Sequence, residues 1–177
     1  MPRIPTSEMT LGPFFPREFA QGANDLTIAA DGAPAGAVRG EVIEITGRVV
    51  QADGAPLDNL VLEIWQANAE GRYDDPAFFG WGRAATDANG VYRFRTIRPG
   101  APAGRAPHVN FVILFSGLMR HLQTVMFFED AENGADPVLN AVQPPERRRL
   151  LVAKKRNGTF TFDIRLRGEG ETPFFGD

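Results

Sequence analysis

Alternating apolar and polar positions mark the part of the chain after residue 40 as a series of short β-strands. The clearest alternation lies in residues 159–167, where every second side chain is apolar. Four further segments have strand composition, at residues 42–50, 60–65, 108–115 and 123–128. An Asn-Gly turn at residues 89–90 leads into another strand. Short strands separated by Gly and Pro turns predict an all-β fold, an antiparallel β-sandwich.

The remaining segments set the predicted domain limits. Residues 1–40 are rich in Pro, Gly and Ala without a sustained period, and we expect an extended N-terminal arm that packs on a partner subunit. Residues 41–177 are long enough to bury one core, so they are expected to form a single sandwich domain. One short helix is predicted near residues 145–152, where a proline favours the first turn.

Composition removes several classes of function. The chain has 177 residues, a formal net charge of −3 and no cysteine. These features argue against nucleic acid as a main partner and exclude disulfides, thiolate metal sites and cysteine nucleophiles. No segment resembles a secretion signal or a membrane span, so a cytoplasmic protein without membrane insertion is expected.

Phenylalanine is unusually frequent, with fourteen residues, and several occur as adjacent pairs. Neighbouring side chains on a strand point to opposite faces of the sheet, so each pair places one ring on each side. Pairs such as Phe78-Phe79 and Phe127-Phe128 therefore predict burial on both faces, in places by another chain.

The residues His108 and Asn110 are the most informative candidates for chemistry. Side chains two positions apart on a strand lie on the same face, which is the spacing of a His-x-His metal site. An amide, however, is a poor ligand for a hard, highly charged cation. The pair therefore predicts an incomplete metal site.

Several segments in this order resemble the intradiol ring-cleavage dioxygenases. They are residues 63–73, 80–83, 96–100, 105–108, 136–140 and 162–172. The resemblance runs over nearly the whole chain. It implies a non-haem iron enzyme of aromatic catabolism that is built from two homologous chains, alpha and beta, with the ferric ion held by two tyrosinates and two histidines of the beta chain.

Matched position by position, this chain keeps only half of that ligand set. Tyr73 and His108 fall where the resemblance places the first tyrosinate and the first histidine. Asn110 replaces the second histidine, and the loop with the second tyrosine is absent between Pro102 and Arg105. The resemblance therefore implies an alpha chain with no metal and no catalytic residue of its own, whose partner beta subunit binds Fe(III).

The same resemblance implies a role at the partner's substrate site. Thr10, Gly12 and Pro13 match a Thr-x-Gly-Pro segment that lines the pocket for protocatechuate and O2. The ring carboxylate of protocatechuate calls for a cation, and Arg120 is the candidate, although the loop departs from the family pattern. Arg105 is expected to survive as a structural hydrogen-bond donor in a vestigial site.

Two other interpretations fit the residues. The chain could be a non-enzymatic, transthyretin-like β-sandwich that binds a small aromatic molecule or a protein. It could also be a metalloenzyme that completes its site by oligomerisation, using Tyr73 and His108 from more than one chain.

Overall fold

The computed structural model describes residues 16–29 and 36–176. Within these ranges, the strands are β1 (Val42–Val50), β2 (Val61–Gln66), β3 (Trp81–Ala85), β4 (Val91–Ile97), β5 (His108–Leu114), β6 (Leu122–Phe128), β7 (Val152–Arg156), β8 (Thr159–Thr161) and β9 (Ile164–Arg165). The helices are α1 (Pro137–Ala141) and two 3₁₀ helices, Arg17–Ala20 and Pro145–Leu151. No helix in these ranges is long and apolar enough to cross a membrane.

The described strands form one curled sheet in the order β3-β2-β5-β6-β7-β8-β1-β4, with β9 paired to β1. Most neighbours are antiparallel, including the β5-β6 hairpin, whereas β6-β7 and the pairs of β1 with β8 and β9 are parallel. The predicted all-β class is confirmed. The sandwich arrangement of the strands stays a prediction.

Residues 23–26 connect the two edge strands of this sheet. The N–H of Arg83 in β3 donates to the carbonyl of Ala23, at 2.8 Å, and the N–H of Arg95 in β4 donates to Asn24, at 2.9 Å. Leu26 is buried in the core. Part of the predicted N-terminal arm therefore packs on its own sheet. Its division from the domain at residue 40, and its contact with a partner, stay predictions.

The two faces of the sheet are covered differently. The inner face carries the main core, in which Tyr92, Phe94, Phe111 and Phe162 pack edge to face or tilted at centroid distances of 5.3–6.2 Å. The outer face of β6 carries a second apolar cluster, formed with α1 and the 3₁₀ helix that follows it. Phe127 and Phe128 belong to different clusters and both are fully buried, as the alternation predicts.

The buried carboxylate of Asp136 attaches α1 to the sheet. It accepts hydrogen bonds from the backbone N–H groups of Val138 and Leu139, at 2.9 and 3.0 Å, which makes it the N-cap of the helix. It also accepts from the N–H of Ala106, at 2.9 Å, and from Nε of Arg105, at 2.7 Å. Asp136 therefore fixes the segment that enters β5 at His108.

Several elements differ from the sequence prediction. The short helix predicted near residues 145–152 is a 3₁₀ helix, and Val152 already belongs to β7. The helix α1 and the strands β3 and β7 were not predicted. The Asp-Pro pair at 136–137 is a helix-start signal that could have identified α1, because Asp caps helices and Pro favours their first turn.

Candidate functional site

The candidate site lies on the outer face of the strands β3, β2 and β5. In the strand register, Trp65 of β2 is opposite both Trp81 of β3 and Asn110 of β5. Residues opposite one another on neighbouring strands point to the same face. His108 is two positions before Asn110, so these side chains form one continuous patch.

His108 is held in a defined orientation at the start of β5. It is buried, and its Nδ1 lies 2.8 Å from the carbonyl oxygen of Ala106. Because a carbonyl only accepts hydrogen bonds, Nδ1 carries the proton and Nε2 keeps its lone pair. Metal-ligating histidines are commonly oriented by such a bond. His108 is therefore held in the kind of orientation that a metal-ligating histidine needs, with the lone pair of Nε2 available.

Tyr73 reaches His108 from the loop between β2 and β3. Its hydroxyl lies 3.4 Å from Nε2 of His108, so it can donate to the lone pair that a metal would require. Its ring stacks on Trp65, with ring centroids 6.1 Å apart and the planes 7° from parallel. The structure therefore brings together Tyr73 and His108, the two predicted positions that match the ligand pattern.

The pKa shifts of Tyr73 and His108 favour the neutral forms of both side chains. Burial raises the pKa of the Tyr73 phenol, although hydrogen bonding with Asn110 and the charge of Arg105 act in the opposite direction. Burial also lowers the pKa of His108, and this effect together with the positive charge of Arg105 outweighs the backbone hydrogen bond to Ala106 and the negative charge of Asp136. A neutral phenol and a neutral imidazole result near pH 7.

We expect the pKa of His108 in the folded chain to lie below its ordinary value of 6.5. Since the unfolded chain then binds the proton first, His108 contributes stability above about pH 6.5 that is lost as the pH falls through its folded pKa. NMR titration of the imidazole signals tests this, with His121→Gln assigning the second histidine of the chain. A pKa for His108 at or above 6.5 would contradict the prediction.

The remaining site positions are engaged in structural contacts. Asn110 donates from Nδ2 to the carbonyl of Trp65, at 3.2 Å. Arg105 donates from Nε to Asp136, and its side chain is only 24% exposed. Arg105 thus donates a hydrogen bond to a buried carboxylate close to Tyr73 and His108.

These side chains do not fit a ferric ion. Catalytic non-haem iron sites use at least three protein ligands, whereas Tyr73 and His108 supply two and are hydrogen-bonded to each other. Among the described residues, no group of three or more His, Cys, Asp or Glu side chains is placed to hold a metal.

The other predicted site residues lie elsewhere. Arg120 is exposed in the bend between β5 and β6, beside the exposed His121. This bend lies at the opposite end of β5 from His108, and a seven-residue strand spans about 20 Å. Thr10, Gly12 and Pro13 lie outside the described residues.

The sequence interpretation did not identify an aromatic surface around this site. Trp65, Tyr73 and Phe79 are exposed by 38%, 41% and 65%. Phe79 contacts both Trp65 and Trp81 edge-on, at centroid distances of 5.8 and 6.4 Å. We call these four residues the aromatic face. The sequence feature that could have indicated this surface is the adjacent pair Phe78-Phe79, in which the ring of Phe79 is exposed.

An ion pair lies beside the aromatic face. Arg83 of β3 pairs with Glu63 of β2, and its guanidinium stands 5.0 Å from the centre of the Trp81 ring. The two residues are opposite each other in the strand register. The positive and negative charges at this edge of the aromatic face are therefore paired with each other.

Comparison with known proteins places these features in a family. A family model described as Dioxygenase matches residues 10–103. The chain is 36% identical to the protocatechuate 3,4-dioxygenase alpha chain of Burkholderia cepacia, and the match covers 96% of both chains. It is 35% identical to the protocatechuate 3,4-dioxygenase beta chain of Burkholderia cepacia, over 97% of this chain and 85% of that one.

A solved structure supports the same relationship. The 3-chlorocatechol 1,2-dioxygenase from Rhodococcus opacus 1CP is 27% identical and superposes with a TM-score of 0.57, covering 90% of this chain and 71% of that one.

Proposed function

Because the chain belongs to the intradiol dioxygenase family and is homologous to the protocatechuate 3,4-dioxygenase alpha chain, we propose that it is the subunit of such an enzyme that binds no iron. The complete enzyme cleaves protocatechuate with O2 to 3-carboxy-cis,cis-muconate in the cytoplasm. A homologous beta chain holds the Fe(III). The comparisons give no support to a non-enzymatic binding module.

The observation that carries the proposal is the hydrogen-bonded pair of Tyr73 and His108, with Asn110 beside it. The two residues fall where the family resemblance places two iron ligands, yet the phenol can donate to the imidazole and Asn110 donates to a backbone carbonyl. Because this chain is similar to an alpha chain, the arrangement supports an enzyme in which the partner subunit binds the metal and this chain does not.

We assign this chain a part in shaping the partner's substrate pocket. The Thr10, Gly12 and Pro13 segment is proposed to line that pocket, and Arg120 to meet the carboxylate of protocatechuate. Arg120 lies about one strand length from Tyr73 and His108, so any substrate that it contacts is not bound at this chain's own cluster. A contact with a site in the neighbouring chain is compatible with that separation.

The experiment for the proposed function is coexpression with the beta chain, followed by iron analysis. We expect the Tyr73→Phe and His108→Gln variants of this chain to form complexes with unchanged iron content, because neither side chain holds the metal. As the matched control, replacing a metal-ligating tyrosine of the beta chain should remove the iron. Loss of iron from complexes that carry Tyr73→Phe would contradict the proposal, and so would iron retained by this chain purified alone.

A further inference from the structure

The sequence contains three Asn-Gly pairs, at residues 89–90, 133–134 and 157–158. This dipeptide can rearrange without an enzyme, because glycine has no side chain to hinder the attack of its backbone nitrogen on the preceding asparagine amide. All three pairs lie in the described part of the chain. Since they share the same local chemistry, the fold determines which of them reacts.

The turn at residues 89–90 is held closed by hydrogen bonds. The N–H of Gly90, which carries the nitrogen that would attack, donates to the carbonyl of Asp87 at 2.8 Å. The N–H of Asn89 donates to Oδ1 of Asp87, also at 2.8 Å. Gly90 is buried, and a Cβ at this position would lie 2.7 Å from the carbonyl oxygen of Val49. Attack at Asn89 therefore requires these hydrogen bonds to break and buried backbone to move.

The amide of Asn133 is held by the fold in another way. Its Nδ2 donates to the carbonyl of Phe128 at 2.7 Å, and the residue is half-buried. Its backbone carbonyl accepts from the N–H of Asp136 at 3.0 Å. The amide has to leave Phe128 before the nitrogen of Gly134 can attack it, so this pair is protected as well.

The pair at residues 157–158 forms the exposed loop between β7 and β8. Arg156 pairs with Thr159, so the loop has two residues, and the φ values of Asn157 and Gly158 are 50° and 83°, positive at both as in a type I′ turn. Both residues are exposed, and a Cβ at Gly158 would meet nothing within 4 Å. Among the described residues, none forms a hydrogen bond with the Asn157 side chain or the Gly158 N–H. Opening this turn breaks only the last pair of the hairpin.

We propose that Asn157 is a site of spontaneous modification, at which the side-chain amide is converted to a carboxylate. The backbone nitrogen of Gly158 loses its proton and forms a bond to Cγ of Asn157, and the C–N bond of the side-chain amide breaks to release ammonia. Water then opens the resulting cyclic imide at one of its two carbonyl carbons. The product is aspartate or, where the main chain now runs through the former side-chain carbon, isoaspartate.

The two products differ in their effect on the sheet. Aspartate tolerates a positive φ as asparagine does, so it keeps the turn. Isoaspartate adds one methylene group to the main chain, which a two-residue loop cannot absorb while Arg156 stays opposite Thr159. The short strand β8 carries Phe160, which is fully buried against Phe128 at a centroid distance of 4.9 Å. Isoaspartate should therefore destabilise the hairpin and this core contact.

Peptide mass spectrometry of the folded, full-length chain tests the proposal. The chain is incubated at mildly alkaline pH, and conversion of amide to acid is followed at each of the three pairs. We expect Asn157 to convert about tenfold faster or more than Asn89 and Asn133, because each of those must first break hydrogen bonds of the fold. In urea, where the fold is lost, the three rates should become similar. The matched control is Asn157→Gln, which cannot form the five-membered imide and should abolish the rapid release of ammonia.

Two results would overturn the modification site. One is a rate at Asn157 no higher than the rates at Asn89 and Asn133 in the folded chain. The other is the same difference in rates with and without urea, because the fold would then not control the reaction. The isoaspartate form, separated by chromatography, should unfold at a lower denaturant concentration than the Asn157→Asp variant, and equal stability would refute the predicted effect on the hairpin. These measurements need no partner chain, so they are independent of the subunit assignment.

Discussion

Replacing Asp136 with alanine should destabilise the folded chain by about 3–5 kcal/mol, which is the usual cost of removing one partner of a buried ion pair. The carboxylate accepts four hydrogen bonds, from Arg105 and from three backbone N–H groups. Its removal therefore uncaps α1 and leaves Arg105 without its acceptor. Chemical denaturation followed by circular dichroism measures the loss.

A matched control is Asp130→Ala. Asp130 also pairs with an arginine, Arg98, but its side chain is 37% exposed, and exposed pairs contribute at most about 1 kcal/mol. A loss of stability for Asp136→Ala no greater than that for Asp130→Ala would show that Asp136 does not hold the helix to the sheet.

The pH dependence of stability gives a second measurement of the same group. Burial acts to raise the pKa of Asp136, but hydrogen bonds from Arg105, Leu139 and Ala106 outweigh it, so the folded pKa lies below its ordinary value of 3.8. The stabilisation is therefore present above about pH 4 and is lost as the pH falls through the folded pKa. The Asp136→Asn variant should lose this part of the acid sensitivity.

The alternation of apolar residues was sufficient for most of the sheet. Strand composition located β1 and β5, whose inward positions are large and apolar except for Gly47 of β1. It missed β3, whose inward positions are Gly82 and Ala84. A side chain at Gly82 would collide with Leu26, so this position is small because another segment packs against it. Such a contact between distant residues cannot be read from the local pattern.

The site was predictable where it depends on strand geometry alone. The spacing of His108 and Asn110 fixes their common face. The hydrogen bond from Tyr73, the pair of Arg105 with Asp136 and the stacking of Tyr73 on Trp65 depend on loops and on long-range packing. The ion pair of Glu63 with Arg83 also joins two strands that are distant in sequence, and only the structure identifies the two partners.

The substitution Arg120→Ala is expected to reduce kcat/KM of the assembled enzyme for protocatechuate by about 10- to 150-fold, the equivalent of one charge-assisted hydrogen bond of about 1.5–3 kcal/mol. The physical reason is that the ring carboxylate must be compensated where it leaves water. Unsubstituted catechol lacks that carboxylate, so its kcat/KM should change little. The ratio of the two values is therefore the quantity to measure.

The matched control is Arg156→Ala, which removes another exposed arginine, at the end of β7. It should leave the ratio of protocatechuate to catechol unchanged, which separates a specific contact from a general loss of positive charge. If Arg120→Ala lowers kcat/KM equally for both substrates, its effect is on assembly or folding, and if it lowers neither, Arg120 does not contact the substrate. Either result would remove Arg120 from the proposed pocket, because only a group facing the carboxylate can distinguish the two substrates.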